Sequence, residues 1–363
     1  MRHEALRPPL DGVRVVDMSQ VLAGPYCALV LGQLGAAVVK VEPPQGDASR
    51  QVGPFLGDQS LYFHCLNDGK RVTSLDIRTS DGRMRLLEEV RHADVVVQNL
   101  RAESARRLGV SPADLMDVNP DVVVVTVQGF ATGTPMEGHA AYDVVIQALS
   151  GIMALTGEPD GPPVRAGVPL SDLTAGLWAV IAALCGLVFR AHHGRGGHLE
   201  VPMLDASMSL LTYAATGAAA ENADPERVGN AHPAVTPYGS FDAADGPFVL
   251  AVYQDKFWPP MCRALGLDDL GADPTLAQQP GRLIRREELR QRIQEAVRGR
   301  SRSDVIAALQ AHDVPCGPVL GVSEAMRTDY AIARGVLRQG QDHAVDYQVV
   351  SPPVRGIAPG GSS

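Results

Sequence analysis

Asp172 is the only acid in the stretch VPLSDLTAGLWAVIAALCGLVFRAHHG, which runs from Val168 to Gly194. A carboxylate at the mouth of so apolar a run has two chemical readings. As a helix N-cap it is worth about 1 kcal/mol over alanine, and the helix dipole adds about 0.3–1 kcal/mol for an anion there. Ser171 can share that task. As a reagent, the same carboxylate is a nucleophile held by a rigid element. Spacing alone leaves both open.

Other residue types add chemistry nearby. VQGF (Val127–Phe130) puts Gln128 and Phe130 at the end of a strong valine run, where loops of layered α/β folds carry sites. QNLRAESARRLG supplies Arg101, Arg106 and Arg107 beside another strand end. Guanidinium matches phosphate oxygens, although a solvated helix face uses the same residues. His192, His193 and His198 cluster near glycines, but no carboxylate has ligand spacing to them, so no metal is expected. HHGRGG reads as a helix end with capping glycines. His139 and His232 read as loop histidines, the second with some prospect of lining a site. Glu221 and Asp224 read as linker surface, and Trp178 as core packing.

These residues need a scaffold, and the chain spells one. VRVVDM is a buried strand. PYCALVLGQLGA is a helix with proline at its start, and AVVKVE is a second strand. Strand, helix and strand make a parallel βαβ unit. The alternation continues through VTSLDI, SDGRMRLLEEVRHA with a Ser80 or Asp81 cap, DVVVQNL, AESARRLG and DVVVVTVQGF. A helix YDVVIQALSGIMALTG, the long apolar helix, a strand GHLEVPM and a helix DASMSLLTYAATGAAA follow. The valine runs are apolar on both faces, as in a sheet covered by helices on both sides.

After a polar stretch the grammar changes. YGSFDAADGPFVLAV suggests a hairpin turning at Asp245-Gly246, and two helices, REELRQRIQEAVRG and RSDVIAALQAHD, come after it. The expectation is therefore α/β, with a Rossmann-like large domain on a parallel sheet plus a smaller α+β domain. Residues 1–220 form the large domain, to which 325–363 return; 221–235 are a linker and 236–324 the small domain. The last stretch, VVSPPVRGIAPGGSS, ends in a flexible Gly/Ser tail.

Bulk properties limit the partners. A chain of 363 residues with 45% hydrophobic and 20% charged residues is ordinary for a globular protein. A net charge of −9 argues against nucleic acid. Five scattered cysteines, with no CxxC, suggest neither disulfides nor zinc, and point to a reducing cytoplasm. The opening MRHEALRPPLDG lacks the apolar core of a secretory leader. The run Leu173–Phe189 is slightly short for a bilayer, which needs about 20 apolar residues, and reads better as a helix buried on all sides. A dinucleotide site on the first βαβ unit is disfavoured. SQVLAGP carries one glycine where the fingerprint wants three, so Glu42 reads as a solvated strand-end acid.

The segments, in order, resemble a known family. PLDGVRVVDMSQVLAGPYCALVLGQLGAAVVKVEPPQGD, DVVVQNLRAESARRLG, VVVTVQGFATGTP, AAYDVVIQALSGIMALTG, GVPLSDLTAGLWAVIAAL, VGNAHPAVTPYGSF and VPCGPVLGVSEA are similar to the family III CoA-transferases of the formyl-CoA and carnitine CoA-transferase type. The resemblance spans nearly the whole chain. It implies an interlocked homodimer, with acyl-CoA and a carboxylic acid as substrates. It makes Asp172, followed by Gly176, the acyl-accepting nucleophile, which passes through an aspartyl anhydride and an aspartyl-CoA thioester. Coenzyme A contacts carry over to Leu22, Ala23, Leu75, Arg78, Asn99, Leu100, Arg107, Gln128 and Phe130, with Arg78 and Arg107 as phosphate partners.

Two positions depart from the pattern. Gln20 stands where some members have histidine, and Gln128 where some have lysine, so acceptor choice is open around Gln20 and Tyr142. The family's usual final helix is shortened or missing. A 2-methylacyl-CoA racemase of the same fold is the alternative. It uses a histidine where Tyr142 stands, and a phenol, with an ordinary pKa of about 10, suits proton abstraction at neutrality poorly. A non-catalytic CoA-binding protein is the second alternative.

Overall fold

The computed structural model describes residues 8–342 and 345–354. The chain divides into two compact units. One takes the residues up to Met153, Arg165–Ala223 and the chain from Thr328 on; the other takes Ala154–Val164 and Asp224–Arg327. Residues 154–164, expected within the large domain, thus belong with the smaller unit. The expected tail lies outside the described residues.

The larger unit is built on six parallel strands, β1 (Arg14–Asp17), β2 (Ala37–Glu42), β3 (Arg71–Ser74), β4 (Val95–Gln98), β5 (Val123–Gln128) and β6 (Gly197–Pro202). Their spatial order is β3-β2-β1-β4-β5-β6. This is the doubly wound arrangement, with its topological switch point between β1 and β4. The strands form because β-branched valines fit a pleated surface covered on both faces. Val15, Val95, Val97, Val123 and Val125 face one layer, and Val16, Val96 and Val124 the other, all nearly inaccessible to solvent.

The first layer holds α1 (Ala23–Gln33) and α8 (Leu170–His193). The second holds α3 (Ser80–Arg91), α4 (Ala102–Leu108) and α5 (Pro112–Val118). Between these in the chain come α2 (Leu61–Asn67), α6 (Asp143–Leu149) and α7 (Ile152–Leu155). The cap of α3 is Thr79, whose hydroxyl accepts from the Gly82 N–H, so the start lies one residue before the expected Ser80. The helix expected across YDVVIQALSGIMALTG is broken between α6 and α7, where Gly151 has φ +89°. The one expected after β6 breaks at Thr212, φ +37°, into α9 (Met203–Met208) and α10 (Thr212–Glu221).

α8 lies close on the sheet because Gly186 leaves room. A Cβ there would stand 2.3 Å from Val123 Cγ1. Its inner face, Ala175, Ala179 and Ala183, is fully buried. The helix is not buried on all sides, as expected, however. Leu177, Trp178, Ile181, Val188 and Phe189 form an exposed outer stripe at helical spacing, and Trp178, expected in the core, keeps 43% of its surface in solvent. Among the described residues α8 is the one helix long and apolar enough to cross a membrane. Its buried face is committed to α1 and the sheet. Gly194, φ +69°, ends it as a left-handed cap.

The smaller unit carries three antiparallel strands, β7 (Tyr238–Ala243), β8 (Gly246–Ala251) and β9 (Cys316–Pro318), in the order β9-β8-β7. Ala243 pairs with Gly246, so the hairpin turns at Ala244-Asp245, one residue earlier than expected. Phe248, Trp258, Met261, Leu289, Ile293, Val305 and Leu309 fill its core.

Candidate active site

Two cavities open at the carboxyl ends of the parallel strands. One, of about 580 Å3, is lined by Asn99, Leu100, Arg101, Arg106, Gln128, Phe130, His139 and Tyr142 after β4 and β5. The other, of about 500 Å3, is lined by Gln20, Glu42, Asp47, Leu75, Arg78 and Leu100 after β1, β2 and β3. Leu100 belongs to both, so the pair straddles the switch point, where open α/β sheets bind ligands.

Most of the sequence-derived residues gather here. Asn99, Leu100, Gln128, Phe130 and Tyr142 line the first cavity, and Gln20, Leu75, Arg78 and Leu100 the second. Arg107 lines neither, whereas Arg101 and Arg106 line the first. Arg78 is folded onto Asp76, with Nε 2.7 Å from Oδ1 and Nη2 2.9 Å from Oδ2. Gln128 Nε2 donates to Thr132 Oγ1 at 3.2 Å. Leu22 and Ala23 are buried at the start of α1 and line neither cavity. His232 lies in the smaller unit, where its Nδ1 accepts from the Ala234 N–H and its ring packs against Tyr238 and Tyr253.

Asn99 is spent on the chain itself. Its Oδ1 accepts the Gln20 N–H at 2.9 Å and its Nδ2 donates to the Gln20 carbonyl at 2.8 Å. The clamp holds a costly turn, since Val21 has φ +69°. A β-branched residue in the left-handed region costs about 1–3 kcal/mol. Asp47 Oδ1 accepts the Val21 N–H at 3.2 Å, and Lys40 Nζ donates to the Ser19 carbonyl.

Beneath the turn lies a buried, electrically balanced group of charges. Lys40 meets Asp47 Oδ2 at 2.9 Å, and Lys70 meets Asp17 Oδ2 at 2.8 Å. Burial opposes ionisation of Asp17, but Lys40 and Lys70 outweigh it and hold the carboxyl below its usual range. Glu42 is not the solvated acid expected. It is buried, grips Arg50 through both oxygens and accepts the Asp47 N–H. With its oxygens so engaged, it does not serve as a ribose acceptor.

Asp172 sits in the first turn of α8 and does not cap it. Neither does Ser171, whose buried Oγ has no partner among the described residues. That task falls to Asp143, at the start of α6. Its Oδ1 accepts the Ser171 N–H at 2.8 Å and the Asp172 N–H at 3.4 Å. Among the described residues nothing hydrogen-bonds the Asp172 carboxylate. Burial, and then the charge of Asp143, push its pKa up from 3.8 to about 7. The Tyr62 hydroxyl on α2 shares this neighbourhood, its pKa raised to about 12 by burial and by Asp172. Gly176, one turn along α8, lets the helix meet α1, since a Cβ there would lie 2.8 Å from the Ala23 carbonyl oxygen. That contact holds the first turns of α8 against Ala23 at the start of α1.

Sequence reasoning missed Asp143, Lys40, Asp47 and Lys70. The only signal for Asp143 was an acid opening a helix. Among the described residues no group of histidines, cysteines and acids could hold a metal ion. All five cysteines are free.

Asp172 itself lines neither cavity; Tyr142, which precedes its partner Asp143, lines the first. The setting is thus a doubly wound fold with a partly buried, unpaired carboxylate one residue's contact away from a switch-point cavity. The model of CoA-transferase family III matches residues 10–358, and the chain belongs to that family. It is 36% identical to the acetyl-CoA:oxalate CoA-transferase of Acetobacter aceti, over 91% of this chain and 85% of that one. It is 33% identical to the succinate–glutarate CoA-transferase of Agrobacterium fabrum, over 91% and 84%. A crystal structure of a CAIB/BAIF family protein from Brucella suis superposes with a TM-score of 0.88 at 34% identity, covering 97% of this chain and 93% of that one.

Proposed function

We propose that the protein moves coenzyme A from an acyl-CoA donor to a carboxylic acid, with Asp172 as the nucleophile. Asp172 Oδ attacks the donor thioester carbonyl. The C–S bond breaks, the CoA thiolate leaves, and a mixed anhydride joins acyl group and aspartate. The thiolate then attacks the Asp172 carbonyl carbon, releasing the donor acid and forming an aspartyl-CoA thioester. The acceptor carboxylate attacks that thioester, the thiolate leaves again, and it takes the acceptor's acyl carbon to give the new acyl-CoA and restore Asp172. No step needs a proton donor, metal or oxidant.

The observation that carries this reading is the state of Asp172. It is partly buried, without a hydrogen-bond donor among the described residues, relieved of capping by Asp143, and more basic than an ordinary carboxylate. Basicity raises nucleophilicity, and burial keeps water from the anhydride. The paired cavities suit an extended ligand, and Arg101, Arg106 and Arg78 suit its phosphates. The two relatives above are named for oxalate, and for succinate and glutarate, all small dicarboxylates, and we assign this chain an acceptor of that class. Arg78, Leu75, Leu100, Gln128 and Phe130 are the coenzyme-binding residues we retain, with Gln20 and Tyr142 toward the acceptor.

A homodimer completes the reading. The apolar outer stripe of α8, continued by Met208, Leu210 and Tyr213, is suited to a second copy of the chain. The free cysteines fit a reducing compartment.

The test is a screen of acetyl-CoA and succinyl-CoA against oxalate, succinate and glutarate, read by mass spectrometry of new thioesters. Hydroxylamine added during turnover is expected to mark Asp172. Asp172→Ala is expected to lose exchange while keeping fold and CoA binding. Unchanged turnover in that variant, or a label on another residue, would overturn the assignment. Rapid α-deuteration of a 2-methylacyl-CoA in D2O without an acceptor would favour a racemase.

A further inference from the structure

α6 grips the start of α8 at two points. Asp143 Oδ1 takes the Ser171 N–H, while its Oδ2 accepts from Gln147 Nε2 at 2.7 Å. Gln147, fully buried one turn along α6, accepts the Ala166 N–H on Oε1 at 2.8 Å. Together they pin both ends of the segment 166–171, and the position of Asp172 follows from α6 rather than from its own helix.

Capping alone does not require a charge here, because serine or asparagine caps as well as aspartate. Setting a fixed carboxylate beside a second, partly buried one is unfavourable for the resting protein. The cost falls on one state of the cycle only. When Asp172 Oδ bonds to the thioester carbon, the electron pair of the broken C–S bond leaves on sulfur, and the negative charge passes from Asp172 to the CoA thiolate. In the anhydride and in the aspartyl-CoA thioester, Asp172 is neutral. We propose that Asp143 is a positioning residue with an electrostatic task, holding the Asp172 backbone for attack and, by repelling its carboxylate, favouring the acylated states. This rests on Asp172 being the nucleophile.

The groups that face Asp172 are few. α6 presents Asp143 and α2 presents the Tyr62 phenol, which is uncharged near neutrality; among the described residues Asp143 is the charge whose field raises the Asp172 carboxyl. Asp143→Asn separates the two roles, since the amide oxygen still caps Ser171 while the charge is gone.

The experiment follows CoA release from acetyl-CoA or succinyl-CoA, whichever the wild type uses, in a single turnover across pH 5–9 on the full chain. The wild-type rate is expected to rise with pH around a midpoint near 7. Asp143→Asn is expected to shift that limb to lower pH and to lower the plateau about tenfold, with donor affinity kept. Asp143→Glu, which restores charge, is expected to bring the limb back toward the wild-type midpoint. Asp143→Ser, an uncharged cap, replaces Asn should that variant fail to fold. A limb and plateau unchanged in the uncharged variant would overturn the proposal and leave Asp143 a cap. Hydroxylamine labelling of the wild type separates this failure from the larger one. A wild type labelled at Asp172 whose uncharged variant keeps its limb sinks only the role of Asp143, whereas an unlabelled wild type sinks the nucleophile.

Discussion

The carboxyl of Asp172 links chemistry to stability. Its value near 7 lies above the ordinary 3.8, so the fold prefers the protonated acid. Stability is full at pH below the ordinary value and declines as pH rises toward 7, where the carboxylate must exist inside the site. Asp172→Asn, neutral throughout, is expected to raise the melting temperature at pH 8 by a few degrees and to change it little at pH 4. Differential scanning calorimetry at the two pH values checks this, and an equal effect at both would mean the carboxylate is not penalised. The residue itself was legible in the sequence, because one acid before an apolar run is conspicuous. Its state was not. The cap that frees it comes from Asp143, 29 positions earlier, and no local pattern reports which of two acids points at a backbone N–H. Asn99 shows the same limit. Its type suits a ligand contact, but its amide is engaged on both sides of Gln20.

At the scale of elements, the strands were readable because short runs such as DVVVVTVQGF are rich in β-branched valine, which favours a buried strand over a buried helix. α5 was missed although Ser111, Pro112 and Asp114 spell a capping box with proline at the first turn, which the structure contains. The outer face of α8 was misread because composition reports how apolar a helix is, not which side is covered. Its glycines carry the tertiary information. Gly176 faces the Ala23 carbonyl and Gly186 faces Val123. Gly176→Ala is expected to push the first turns of α8 off α1, displacing Asp172 relative to the Gln20–Ala23 turn. Misplacement by about 1 Å costs on the order of a hundredfold in rate. Single-turnover kinetics should therefore show slow CoA release with near-normal secondary structure by circular dichroism. An unaffected rate would mean that the close approach at Gly176 has no part in placing the nucleophile.

At the scale of the molecule, the exposed stripe of α8 predicts the assembly. Ile181→Glu places a charge in its middle, without touching the buried alanine face or the two cavities. The variant is expected to run as a smaller species by sedimentation than the wild type. A wild type that sediments as a monomer would instead leave the stripe unexplained. The larger unit has a further property that follows from where Asp68 finds its partners. This buried carboxylate accepts from Arg338 Nη2, from the Gln341 N–H at 2.7 Å and from the Tyr347 hydroxyl at 2.8 Å. All three donors come from chain that follows the smaller unit. During synthesis most of the parallel sheet therefore emerges long before the groups that close over α2, the first of which, Arg338, follows Asp68 by 270 positions. The smaller unit, made of the unbroken Asp224–Arg327 and the short earlier piece Ala154–Val164, is free to mature in that interval. The order of completion on the ribosome thus runs opposite to the order of the two folds along the chain.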